Sequence, residues 1–225
     1  MMRREILDLT VTPDDRELVL ERRGDLYSIL VDGEELMASR ASGSERALAE
    51  LAVAELPVRH PGPRLLIGGL GMGFTLRAAL DALTGRPAAT IVVAEYFAKI
   101  VEWNRGPLAH LAGRPALDPR ARIEVADVAD LLATPPPWDV VLLDVDNGPD
   151  SFTLDRNGRL YGRAGLERLH GSLAPGGVVA VWSAADDPAF ATRLAAAGFE
   201  TSTRRVAART TGKGGKHVIF LGRRH

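Results

Sequence analysis

Six residues, Gly68-Gly69-Leu70-Gly71-Met72-Gly73, follow a short apolar run and precede a helical pattern. Glycines suit such a place because the chain must turn tightly and let a ligand reach backbone N–H groups at a helix start. The dinucleotide fingerprint G-x-G-x-x-G fails, since its sixth position falls on Phe74 counted from Gly69 and on Leu76 counted from Gly71. What stands is G-x-G-x-G at Gly69, Gly71 and Gly73. Three acids add to it. Glu95, Asp127 and Asp144 each come directly after an expected strand, at the edge where open α/β sheets bind ligands. A carboxylate only accepts and a ribose diol offers two donors, so Glu95 suits ribose hydroxyls; Asp127 suits an adenine amino group. Each acid alone reads equally well as a helix cap. Together with the glycine loop they point to a nucleoside.

Alternating elements must position these groups. Strands are expected at Leu65–Ile67, Ile91–Ala94, Arg122–Val125, Trp138–Leu143 and Gly177–Trp182. Helices are expected at Phe74–Leu83, about Phe97–Trp103, Leu166–Leu173 and Ala189–Ala197. This order implies a parallel sheet. The chain then closes on two strands, Phe199–Val206 and His217–Leu221, as a hairpin, where a nicotinamide-binding domain would continue as βαβ units. That ending resembles the class I S-adenosylmethionine (SAM) dependent transferases. The expected fold class is therefore α/β: a Rossmann-like class I sheet with a C-terminal antiparallel hairpin and a small N-terminal β element. Residues 1–40 carry short strands around Leu18–Leu20, Leu26–Val31 and Glu35–Met37, with Asp32-Gly33 as a hairpin turn. Ser42-Gly43-Ser44-Glu45 has capping-box spacing and opens a helix that runs to Pro57. The expected division is 1–40 as a β-hairpin region and 41–225 as the nucleoside-binding catalytic domain.

Composition narrows the classes. With 225 residues, 46% hydrophobic and 25% charged, the chain can bury a core. Zero Cys excludes disulfides, a thiolate metal site and a Cys nucleophile, and fits a reducing cytoplasm. The five His show no metal-ligand spacing, so no metal is expected. A net charge of −1 gives no electrostatic case for nucleic acid or membrane. No signal peptide or membrane helix is expected.

From Leu65 to Gly222 the chain resembles the catalytic domain of the spermidine synthase (polyamine aminopropyltransferase) family. The likeness lies in Leu66-Ile67-Gly68-Gly69, Asp118-Pro119-Arg120, Asp127, and Asp144-Val145-Asp146-Asn147-Gly148-Pro149 with Leu160-Tyr161 behind it. The resemblance implies SAM or decarboxylated SAM as donor and a small-molecule, amine-type acceptor, and it leaves a homodimer open. It makes Asp144 the base that takes the amine's proton, Glu95 the ribose ligand and Asp127 the adenine contact. Asp146, Asn147, Glu45 and Tyr161 become acceptor-site residues. Three departures bear on the acceptor. The family's second Asp falls on Asn147, its pocket-shaping Tyr-His/Gln-Glu segment is Gly43-Ser44-Glu45, and its glycine loop has an Asp that is missing here. An ammonium buried without carboxylates is costly, so methyl transfer is slightly favoured over aminopropyl transfer. The rival readings are a nicotinamide oxidoreductase and a SAM-binding module without turnover.

Overall fold

The computed structural model describes residues 3–58, 60–145, 160–211 and 214–225. A four-stranded antiparallel sheet comes first: β1 (Arg4–Val11), β2 (Glu17–Arg23), β3 (Leu26–Val31) and β4 (Glu34–Ala38), in that spatial order. Three of these match expected strands. The first was not foreseen, because its ladder with β2 shifts between Ile6 and Asp8 and so breaks the two-residue alternation that marks a strand. Helix α1 (Gly43–Ala54) links this sheet to the rest.

The second sheet has seven strands. β5 (Arg64–Gly68), β6 (Thr90–Glu95), β7 (Ala121–Val125), β8 (Trp138–Leu143) and β9 (Leu173–Ser183) run parallel, and β10 (Phe199–Ala207) and β11 (Lys216–Arg224) complete it. The order is β10-β11-β9-β8-β5-β6-β7, with β11 antiparallel to both β9 and β10. The expected closing hairpin is therefore present, its last strand inserted beside β9. The helices between strands are α2 (Phe74–Ala82), α3 (Ala98–Arg105), the short α4 (Val128–Leu131), α5 (Arg163–Ser172) and α6 (Pro188–Ala196).

Alternation along the central strands splits the core in two. Leu65, Ile67, Val140 and Leu142 face α1, α2, α3 and the N-terminal sheet, packing with Leu18, Leu20 and Ile29. Leu66, Val141 and Leu143 face the other way, with Leu166, Phe190 and Phe220. A sheet buried on both faces reads as continuous apolar sequence, as Val140–Leu143 does. Among the described residues no helix is long and apolar enough to cross a membrane.

Candidate active site

Register brings the chemistry to one level. Gly68 at the end of β5 pairs with Ala94 of β6 and with Leu143 of β8. The next residues, Gly69, Glu95 and Asp144, therefore leave the sheet side by side. Two hydrogen bonds hold this exit: Gly69 N–H to the Ala94 carbonyl and Asp144 N–H to the Gly68 carbonyl, each 2.9 Å.

Glycine is demanded in the loop. Gly69, Gly71 and Gly73 have φ of +87°, +51° and +83°, the left-handed region that side chains disfavour. A Cβ on Gly69 would run into the Asp144 carbonyl oxygen, and one on Gly71 would lie 2.8 Å from the Met37 sulfur of β4. Asn104 of α3 holds the loop from behind, donating to the Gly71 carbonyl at 2.7 Å. Gly73 serves packing, with Asn104 Oδ1 3.0 Å from its would-be Cβ, and it starts α2.

Gly69 and Gly71 line a cavity of about 300 Å³, at the small end of the range for ligand pockets. Glu95, Asp127 and Asp144 line it as well. So do Glu45, Trp182 and His217, and β4 residues Glu35 to Ala38.

Each acid has a distinct setting. Glu95 is buried, and its two oxygens accept from the N–H groups of Leu70 and Phe97, both at 2.9 Å. Burial pushes its pKa up, against those backbone bonds. The backbone N–H groups of Gly71 and Tyr96 also act on this carboxylate, so Glu95 shapes the loop as well as lining the cavity. Asp127 caps α4 by accepting from Ala129 N–H at 2.9 Å, the helix-cap reading, while still lining the cavity. Asp144 accepts a hydrogen bond from the Thr75 hydroxyl of α2, and burial raises its pKa to about 6.

Glu45 faces Asp144. Burial, then the negative charge of Asp144, raises its pKa to about 7. The capping box expected here does not form. The Ser42 side chain makes no cap bond, and Glu45 turns inward, where Ser44 Oγ donates to it at 2.9 Å. A buried hydroxyl partner outweighs the local capping pattern. Ser44 Oγ also lies 2.8 Å from His217 Nδ1 of β11, and the His217 ring stands edge-on to Trp182 with centroids 4.7 Å apart. Two carboxylates that cannot both ionise cheaply share roughly one proton near neutral pH. Such a pair can take a proton from an entering ammonium group.

Other expected residues lie elsewhere. Tyr161 is buried in the second core cluster, edge-on to Phe190 at 5.6 Å, and is not among the described residues that line the cavity. Asp146 and Asn147 lie outside the described residues. Trp103 is core, its indole N–H donating to Asp8 of β1 at 2.9 Å. Asp118 and Arg120 pair with each other at 2.9 Å and serve structure. Sequence reading assigned no site role to Thr75, Asn104, Met37 or His217, and named Ser44 only within the Gly43-Ser44-Glu45 segment. Thr75 alone left a signal, a polar residue in the first turn of an apolar helix behind the glycine loop.

No protein-family model matches the chain. Polyamine aminopropyltransferase 2 of Pseudomonas aeruginosa is 36% identical over 148 residues, which is 63% of this chain and 39% of that protein. The chain thus spans about two fifths of the length of this curated relative. A crystal structure of spermidine synthase in complex with the transition-state analogue AdoDATO superposes with a TM-score of 0.74 at 19% identity, covering 100% of this chain and 74% of that one. Human methyltransferase-like protein 13, in complex with SAH, gives a TM-score of 0.59 at 20% identity over 81% of this chain and 82% of its own. The fold is class I methyltransferase-like.

Proposed function

We propose that this chain, spermidine-synthase-like in sequence and fold, binds an adenosyl sulfonium donor and catalyses transfer of a methyl or aminopropyl group to an amine. One observation carries the reading. The glycine loop, Glu95, Asp127 and the Glu45–Asp144 pair line a single cavity at the C-terminal edge of the parallel strands. Residues 41–225 would form the catalytic unit and residues 1–40 its cover, through β4.

The residues fit the donor. Gly69 and Gly71 leave their side of the cavity free of side chains, and the Glu95 carboxylate lines it as an acceptor for a ribose diol. Asp127, with one oxygen engaged by Ala129, offers the other to an adenine amino group. A bound sulfonium supplies an electrophilic carbon and a neutral thioether leaving group. Everything else falls to the chain. Asp144, with a pKa of about 6, is ionised at neutral pH and accepts the proton that an ammonium must lose before it attacks. Thr75 aims that carboxylate, and holding both reactants in one cavity supplies most of the acceleration.

Methyl transfer is favoured over aminopropyl transfer, because Gly43-Ser44 and Asn147 stand where the resembled family has polyamine-contacting groups. The test is turnover of labelled SAM and of labelled decarboxylated SAM with a mixture of amines. Label appearing on an amine from either donor supports the reading. Donor binding without transfer to any amine would leave a binding module and refute the catalytic half.

A further inference from the structure

The acid pair is tied to a group that the transfer chemistry does not require. Ser44 is fully buried in the first turn of α1, and its hydroxyl bridges Glu45 Oε2 and His217 Nδ1 at 2.9 and 2.8 Å. The bridge spans the chain: His217 lies on β11, 173 residues on. Backbone sets its geometry, since Gly43 N–H donates to the Ala208 carbonyl at 2.9 Å and pins the start of α1 to the closing hairpin. Trp182 holds the imidazole from its edge. His217 itself is only half-buried.

A serine hydroxyl has one proton to give. When Glu45 is ionised, Ser44 donates to it and must accept from a protonated Nδ1. When Glu45 is protonated and donates to Ser44, the hydroxyl turns to His217, whose Nδ1 must then be bare. We propose that His217, acting through Ser44, is a positioning residue for Glu45, and that the three form a proton path whose direction reverses with the protonation of Glu45. This rests on the reading of Glu45–Asp144 as the acid pair that faces the acceptor.

The step balances. One proton enters at Glu45 from Asp144, the other member of the acid pair. Glu45 passes it to Ser44 Oγ as Ser44 passes its own to Nδ1, leaving a carboxylate, an intact hydroxyl and an imidazolium. The imidazolium then gives its Nε2 proton to solvent. Burial lowers the pKa of His217, which favours that release. Other charges act on Glu45 as well: Asp144 raises its pKa, and the adjacent Arg46 lowers it. Glu35, paired with Arg40, together with Glu95 and Asp127, lines the same cavity.

The test is a ring-15N NMR titration of the intact, ligand-free protein between pH 5.5 and 9. Its probe is the His217 signal, assigned by its loss in His217→Gln. The expected result is an exchange of the protonated and bare positions between the two ring nitrogens, centred near pH 7, where Glu45 titrates. Below that midpoint the neutral ring carries its proton on Nε2; above it, on Nδ1. Ser44→Ala and, independently, Glu45→Gln should abolish the exchange. A clamp that merely joins α1 to β11 would keep one tautomer throughout. A single tautomer in the wild type, or the same exchange in Ser44→Ala, overturns the proposal. No nucleoside or amine is present, so this outcome is separate from the success or failure of the transferase reading.

Discussion

Glu45→Gln isolates the cost of the acid pair. In the folded protein the Glu45 pKa stands at about 7, against an ordinary 4.5. The folded state therefore holds this proton over a window in which the unfolded chain has already released it. Stability must fall as pH rises from about 4.5 through about 7, because the folded state binds more protons there. At about 1.4 kcal/mol per pKa unit, ionising Glu45 in place costs on the order of 3 kcal/mol. Gln keeps the shape and the contact with Ser44 but cannot ionise. Denaturant unfolding at pH 5 and at pH 8.5 measures the difference. The variant should gain on the order of 3 kcal/mol over wild type between the two pH values, or about 6–12 °C in Tm for a chain of this size. Removing one charge also eases ionisation of Asp144, which works in the same direction. Parallel pH profiles for wild type and variant would refute the coupled-pair reasoning.

Four further outcomes are expected. Gly71→Val, forced into positive φ against Met37, should abolish nucleoside binding in calorimetry while circular dichroism stays largely unchanged. Glu95→Ala should lose at least about tenfold in nucleoside affinity, given about 1.5–3 kcal/mol for each bond to a charged group. Glu95→Gln should be milder, and a 2′,3′-dideoxy nucleoside binding wild type as tightly as its parent would contradict the ribose role. Asp144→Asn should keep donor affinity within a few fold and lower kcat by roughly 10²–10⁴, and wild-type kcat should fall as pH drops through about 6, where Asp144 takes up its proton. Asn104→Ala, which frees the Gly71 carbonyl, should weaken nucleoside binding about tenfold, the worth of one lost hydrogen bond.

The half of the site that was legible in the sequence is the half built from local pattern. Gly69, Glu95 and Asp144 each follow a strand end, and parallel register does the rest, so spacing alone set them side by side. The same logic found the closing hairpin. Ser44, Thr75, Asn104 and His217 act through contacts between elements far apart in the chain, which no spacing rule encodes. His217 looked like the first residue of a strand, and only the insertion of β11 beside β9 brings it to Ser44. Local pattern also misled once. Ser42-Gly43-Ser44-Glu45 has capping-box spacing, yet the cavity draws Glu45 inward, where Ser44 satisfies it. Tyr161, taken from the resemblance, went to the core instead.

The central claim is that the cavity holds an adenosyl sulfonium nucleoside. Parallel calorimetric titrations of the folded protein with SAM, decarboxylated SAM and methylthioadenosine test it most directly. The expected result is saturable binding of the shared adenosyl group in at least one titration, weakened in Glu95→Ala and lost in Gly71→Val. Absence of heat with all three, from protein whose circular dichroism shows the native fold, would contradict the account.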